Sequence, residues 1–537
     1  MSSELENHGT PPTDLGVHGA RHAVGSQRPA HLLALLLVAL VTLAVFGRAS
    51  GFDFLLWDDD IQLSNNPTVR TLDWVTAWRM FTQGYAIRYQ PLAWLSSAVL
   101  ARAGGIDSFP FHSFNIVLHA ISAVLAAVLV RRLLTSAGYG PTSGIDKTIL
   151  APAFAALVFA LHPLRAEPIA WAIGWRYCQS VVLMLASALL YLRAIEAHPK
   201  AGMRTASYWL SVFAFVLSAL TYPFCLEWPL VLVVLDAYPL RRWHTRAAWL
   251  EKVPFALVAL GALAASVAVR LSTHVAGFEP VSLGDYGVAV RLMKALQVWA
   301  DATWRGLLPV DLRPVYVACT PFHPLSARPI LSAVAMVGIT LLLVWRRRTH
   351  PALLALWVVH FVLLGAKLGL LETGHVEAAD RFTYPAGLAW AGLAACGFIA
   401  AARWPLGRTF RVPVATLLLA LFAFSTFRYL GIWRNDVIFF RAGLASVGDS
   451  FLRDEMLWRL ALAHWRRDEP QLALPLFDEA VARRPADLRV RLMRAGLLKR
   501  LGKEQDAIRE TAEAIRLAGT GTPEEIARRI SEFVQLR

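Results

Sequence analysis

Apolar residues arrive in this chain as eleven separate blocks, and that pattern constrains the fold more than any single motif. The blocks are His31–Phe46, Ile116–Val130, Ile149–Leu161, Val181–Leu192, Tyr208–Leu220, Pro223–Ala237, Val253–Val269, Ile330–Val344, Pro351–Leu371, Tyr384–Ala402 and Val412–Phe427. Crossing ~30 Å of hydrocarbon takes about 20 helical residues, with shorter apolar cores extended by interfacial flanks. The sequence therefore predicts an all-α, polytopic membrane protein with about eleven transmembrane helices, ten to twelve at the bounds. Only 17% of the 537 residues are charged, against about 25% in ordinary soluble domains. A soluble chain that is 56% hydrophobic would expose large apolar patches.

The formal charge of +15 is a topology signal and not a nucleic-acid footprint, because the cations sit between blocks in every second loop. Starting from the N-terminal tail (Arg21, Arg28), the basic loops are Arg131–Arg132, Arg193 to Arg204, Arg241 to Lys252, Arg346–Arg348 and Arg403 to Arg411. Cationic loops mark the cytoplasmic side. With an odd number of spans the N-terminus lies in the cytoplasm and the C-terminus outside, as expected in a bacterial inner (cytoplasmic) membrane. Residues 1–30, polar and rich in Gly, Pro and His, read as a disordered cytoplasmic tail. The first apolar block is followed by a weak cleavage site, so it reads as an uncleaved helix. Cys178, Cys225, Cys319 and Cys396 lie far apart, with neither a disulfide framework nor metal-ligand spacing.

On this topology the membrane domain spans 31–432 and sends long outer loops over about 51–111 and 272–328. The first is rich in Trp and Tyr, which favour the membrane–water interface. Beyond Phe427 the composition turns charged and helical. Ala461 and Ala495, Asp468 and Gly502, Ala473 and Ala507, and Ala480 and Ala514 recur at the ~34-residue tetratricopeptide period. Residues 440–537 are expected to form a small helical solenoid outside the membrane, with an unrelated helical hairpin as the alternative.

Ionisable residues gather at the outer ends of the spans. Trp57-Asp58-Asp59-Asp60 opens the first loop; an aspartate at mid-bilayer costs roughly 2.5–3.5 kcal/mol, so the span ends before them. They form a solvated helix-end cluster or a catalytic carboxylate acting as general base on an acceptor hydroxyl. Asp58 and Asp59 would also offer oxygen ligands to a divalent cation. His112, Asn115 and His119 share one helix face, but a separation of seven between the histidines is not the i, i+4 zinc pair, so a packed polar seam is the better reading. His162, Arg165 and Glu167 fall in a short outer loop, with Arg176 near the next helix start. Arginine forks bind phosphate oxygens in two places, although Arg165 and Glu167 would also pair with each other. Asp380 and Arg381 follow Glu372, His375 and Glu377 at another outer junction, as a membrane-edge site or as a snorkelling anchor.

In order along the chain, WDDDIQLSNNP, YQPLAWLS, FHSFNIVLHA, HPLRAEPIAW, PLVLVVLDAYPLRR, SLGDYGVAV and AADRFTYPAGL resemble the motifs of bacterial relatives of the TMTC-type protein O-mannosyltransferases. Those are polytopic GT-C enzymes that end in tetratricopeptide repeats. The resemblance implies a GT-C fold and inverting transfer of a sugar, mannose in the family, from a polyprenyl-phosphate donor at the outer face. It makes Asp58 and Asp59 the acidic pair, and Asp60, His112, Asn115, His119 and Asp380 are taken as acceptor-side or supporting residues from their places in these loops. His162, Arg165, Glu167 and Arg381 become donor-site candidates, which Arg176 joins on its position alone, and the repeats would hold a polypeptide acceptor. No cofactor is implied as certain, and metal-independent transfer is the default. Two departures stand out. Gly174-Trp175-Arg176-Tyr177 replaces the family's E-R-K-D, and Thr221-Tyr222-Pro223 replaces S-K-P; Gln90 also replaces a basic residue. These keep open a non-catalytic, membrane-anchored repeat scaffold. A transporter or flippase fits less well, since the spans show no internal repeat.

Overall fold

The computed structural model describes residues 15–85, 88–140, 143–199, 202–272, 287–317, 322–370 and 376–519. Glu372, His375, Cys319, most of SLGDYGVAV, the side chain of Glu377 and residues 520–537 lie outside the described residues. The architecture is helical; the strands among the described residues form a two-stranded antiparallel ribbon, Tyr316–Val317 against Val376–Ala378.

Every apolar block coincides with helix. Among the described residues, six helices are long and apolar enough to cross a membrane: Arg28–Gly51, Ser108–Ser136, Ala172–Ala197, Arg246–Ser272, Ala327–Arg348 and Pro405–Trp433. Asp146–Leu161 and Pro163–Ala170 form a seventh as a pair bent by 59°, and four shorter apolar helices account for the remaining blocks. The chain is an integral membrane protein. Its first helix begins at Leu15, inside the segment expected to be a disordered tail, and runs through Pro29 to Phe46.

Ser108–Ser136 and Ala172–Ala197 form the centre, each 61% buried over its most apolar window, against 11–17% for the other four long helices. Those four turn leucines outward, among them Leu32, Leu36, Leu257, Leu260, Leu331 and Leu417. Such residues are at home against lipid tails. Arg132 and Glu196, at the C-terminal ends of the two central helices, pair at 3.2 Å, which puts both ends on one side.

The bend changes what the sequence suggested for 161–171. This segment is no surface loop: Leu161–Cys178 is buried throughout, as a run of short helices. Irregular backbone at this depth survives only where protein satisfies its polar groups. Asn115 does so, donating from Nδ2 to the carbonyls of Ile169 (3.0 Å) and Trp171 (2.7 Å). Gly174 is required here, since a Cβ would lie 2.0 Å from the Pro168 carbonyl oxygen.

Past the membrane helices, Asp436–Val447 leads into two helical pairs, Phe451–Arg466 with Pro470–Arg483 and Leu488–Arg500 with Glu504–Ala518. The residues matched at the 34-residue spacing are structurally equivalent. Ala461, Ala473 and Ala480 are buried, as are Ala495, Ala507 and Ala514. Asp468 and Gly502 both take positive φ, 61° and 72°, in the turn between the helices of each pair.

Candidate functional site

The first loop descends from the end of the Leu15–Phe46 helix and turns at Asp58, whose φ of 75° is left-handed. The turn separates two carboxylates that the sequence treats as a pair. Asp59 is fully buried and accepts from the backbone N–H groups of Leu55 (2.8 Å) and Ile173 (3.2 Å). Burial pushes its carboxyl well above the ordinary range even so. It is a strut between the loop and the bent segment. Asp58 is 35% exposed on its side chain and pairs with Arg88 at 3.1 Å. Burial alone would raise its carboxyl, but the guanidinium groups of Arg88, Arg176 and Arg459 outweigh that and hold it low. Asp60 stands in the following π-turn, pushed up by burial, with Oδ1 unpartnered. Both oxygens of Asp59 thus accept from backbone donors, while Asp58 has Arg88 beside it.

Arg88 and Arg176 act on Asp58, and Arg381 shares the Trp171 ring with Arg176. Arg176 is 2% exposed and forms no ion pair among the described residues. Its guanidinium lies over the rings of Trp171 (5.7 Å), Tyr177 (5.1 Å) and Tyr222 (5.2 Å), and Nη2 donates to the Tyr177 hydroxyl at 3.3 Å. Its Nε and Nη1 are buried without partners. A buried charge with free donors is expensive unless something pairs with it. Arg381 shares the Trp171 ring at 5.3 Å and pairs with Glu167, whose other oxygen accepts the Arg381 backbone N–H at 2.8 Å. Burial would lower the Arg381 guanidinium, but Glu167 more than reverses it. Arg88, 27% exposed, is the third. Tyr177 and Tyr222, where the chain departs from the family's charges, pack edge-on at 5.1 Å and wall the site with Phe224.

The structure thus brings Asp58, Glu167, Arg176 and Arg381 together. Most of the other candidates spend polar atoms on the protein, although both ring nitrogens of His112 and Arg165 Nε have no hydrogen-bond partner among the described residues. His162 Nδ1 accepts from the Leu164 N–H at 3.2 Å, so Nε2 carries the proton toward the Gly306 carbonyl (3.2 Å). Arg165 donates to the carbonyl and hydroxyl of Thr383 at 3.1 and 3.3 Å and lies over Phe159 and Tyr384. His119 bridges the Tyr384 hydroxyl (2.8 Å) and the Ala160 carbonyl (3.0 Å), while His112 stands edge-on to Phe52 at 6.3 Å. With Asn115 they form the polar seam that their spacing predicts. Asp380 accepts from the hydroxyls of Tyr316 and Tyr429, both at 2.9 Å, and burial with Glu167 nearby pushes its carboxyl up to about 7. Arg88 escaped the sequence reading. Its one signal was position, two residues before Gln90, which is buried and donates to Gln62 at 3.1 Å.

No protein-family model matches the chain. It is similar to the human protein O-mannosyl-transferase TMTC4, 28% identical over 193 residues, which is 34% of this chain and 26% of that protein. It is also similar to mouse TMTC1, 27% identical over 195 residues, 34% of this chain and 19% of that protein. The matches therefore span about a quarter or less of these relatives. Among solved structures, Cupriavidus metallidurans ArnT bound to undecaprenyl phosphate aligns at 12% identity over 93% of this chain and 77% of ArnT, with a TM-score of 0.38. The Archaeoglobus fulgidus oligosaccharyltransferase tethered to an acceptor peptide aligns at 15% identity over 84% of this chain and 59% of the enzyme, at 0.40. Likenesses that distant decide neither fold nor chemistry.

Proposed function

We propose that this chain is a GT-C-type membrane glycosyltransferase that moves a sugar, mannose by analogy with the TMTC relatives, from a polyprenyl-phosphate donor to a hydroxyl, Ser or Thr of a polypeptide. The observation that carries the reading is the partly exposed Asp58 carboxylate beside Arg88 and Arg176, with Arg381 sharing the Trp171 ring with Arg176. Asp58 removes the acceptor hydroxyl proton as that oxygen attacks the anomeric carbon. The bond from that carbon to the phosphate oxygen breaks with inversion, and the arginines take the charge that collects on the leaving phosphate. The free donors of Arg176 suit a phosphate oxygen, since a planar guanidinium binds such oxygens in two places. Arg381 is held for the same task by Glu167. The reaction needs no metal in this scheme. The N-terminus lies in the cytoplasm and the site faces outward, as it would in a bacterial inner membrane, with the helical pairs from Phe451 to Ala518 there to hold the polypeptide.

The test is sugar transfer from radiolabelled polyprenyl-phosphate mannose in membranes bearing the intact protein or Asp58→Asn. The expected result is transfer that survives EDTA and falls about 100- to 10,000-fold in the variant, the usual worth of a positioned base. Absence of transfer from the intact protein, with mannose and with other polyprenyl-phosphate sugars, would reject the enzyme in favour of the repeat scaffold.

A further inference from the structure

The turn that presents Asp58 is held from two sides, and one side is the C-terminal helical segment. From the membrane side, Trp171 Nε1 donates to the Trp57 carbonyl at 2.9 Å, and the Ile173 N–H fixes Asp59. From the other side, Asp436 Oδ1 accepts the Leu56 N–H at 2.7 Å, and the Arg434 carbonyl accepts the Asp53 N–H at 3.0 Å. Arg459, in the first helix of the repeats, donates from Nη1 to the Leu56 carbonyl. Its guanidinium also lies 5.8 Å from the Trp57 ring centre, while Trp57 packs against Phe439 and Phe440 at 5.8 and 6.4 Å.

A non-glycine residue in the left-handed region persists only where its surroundings over-determine it. At Asp58 much of that determination comes from the C-terminal segment. Arg459 is 6% exposed and is itself held: Nε pairs with Glu455 at 3.5 Å, Glu455 with Arg489 at 3.6 Å, and Arg489 with Asp487 at 2.9 Å. The second helical pair is therefore joined through a row of charges to the backbone two residues before Asp58. An arginine buried against a backbone carbonyl of another segment does more than a solubilising surface cation would.

We propose that Arg459 is a positioning residue for Asp58, so that the helical repeats complete the transfer site as well as any binding they do. This rests on the reading of Asp58 as the base. Arg459 acts in two ways: its hydrogen bond fixes the turn, and its charge joins those of Arg88 and Arg176 in keeping Asp58 ionised against the cost of burial.

The experiment uses the full-length protein in nanodiscs with Arg459→Met, Arg459→Lys and Asp58→Asn. It measures amide hydrogen exchange over 53–60 and transfer from polyprenyl-phosphate mannose across pH. For Arg459→Met, exchange at 53–60 should quicken about tenfold while the Ser108–Ser136 helix is unchanged, as expected of a local opening. Its kcat should fall about tenfold with donor KM changed less than about twofold, the pattern of a lost transition-state contribution. The acid limb of kcat should move to higher pH, because Asp58 without Arg459 binds its proton more tightly. Arg459→Lys should recover the pH limb and only part of the rate. Unchanged exchange at 53–60 in Arg459→Met overturns the proposal whatever the activity. So does a loosened turn with a normal rate and pH profile. Wild-type transfer by Asp58→Asn would instead remove the base assignment, and the positioning role with it.

Discussion

The Trp175–Ala197 helix carries a cluster of ionisable residues at each end, and the two are built on opposite principles. Toward its C-terminal end Tyr191 donates to both oxygens of Asp236 at 3.0 Å, Lys252 pairs with Asp236, and Arg242 pairs with Glu251 at 2.8 Å. Two carboxylates meet two cations, and all four side chains are at most 8% exposed. At its N-terminal end, about 22 Å away at 1.5 Å per residue, Arg88 and Arg176 act on Asp58 while Arg381 pairs with Glu167. The cluster around Asp236 balances its charge and ties the 236–252 segment to the helix, although Arg242, like Arg176, keeps nitrogens without hydrogen-bond partners. The cluster around Asp58 opens to solvent at Asp58 and Arg88, and its Arg176 has no ion-pair partner among the described residues. A buried cation without a countercharge is a candidate for a ligand, whereas one matched by a carboxylate is accounted for by structure.

Substitutions at each end can break that contrast. The largest effect is expected from Asp236→Ala, which strands Lys252 inside the protein. Losing one partner of a buried pair costs about 3–5 kcal/mol, so the unfolding temperature in detergent should drop steeply while transfer per folded molecule stays near wild type. Arg176→Met reverses this outcome: the unfolding temperature should not fall, because an unpaired cation leaves an aromatic cage, while transfer falls about 100- to 1,000-fold, as when one transition-state donor is removed. A stability loss there as deep as at Asp236 would erase the distinction.

Asp380 tests the region around Glu167 through pH. Its folded pKa, about 7, lies above the ordinary carboxylate value, so the folded state binds that proton more tightly than the unfolded state does. Its contribution to stability is full below about pH 4 and is lost as pH rises toward 7, at no more than about 1.4 kcal/mol per pH unit. Thermal unfolding between pH 4 and 7 should show a slope that Asp380→Asn flattens. The smallest effect belongs to Tyr222→Phe. It removes a hydroxyl from the wall of the site, and about 1 kcal/mol per neutral hydrogen bond predicts a rise in donor KM of about fivefold with little change in kcat.

The helices were legible from the spacing of apolar residues, because a segment that crosses lipid must satisfy its backbone internally and must be long and apolar. Each of the eleven blocks contains helix for that reason, and the 34-residue spacing matched Asp468 with Gly502, which both take positive φ between paired helices. Chemistry was legible only as a list. Adjacent residues Asp58 and Asp59 look equivalent in sequence, yet a left-handed turn sends one to solvent and the other into backbone N–H groups. Tyr177 and Tyr222 read as lost charges, yet they meet across two helices as the box around Arg176.

Composition and periodicity thus determined a membrane-embedded helical chain with charge gathered at the ends of its spans. Which charges pair, which stay free, and which end of the chain holds the Asp58 turn were decided by tertiary structure alone. Desolvation and pairing depend on neighbours hundreds of residues apart, such as Arg459 on Leu56, and local sequence carries no record of them.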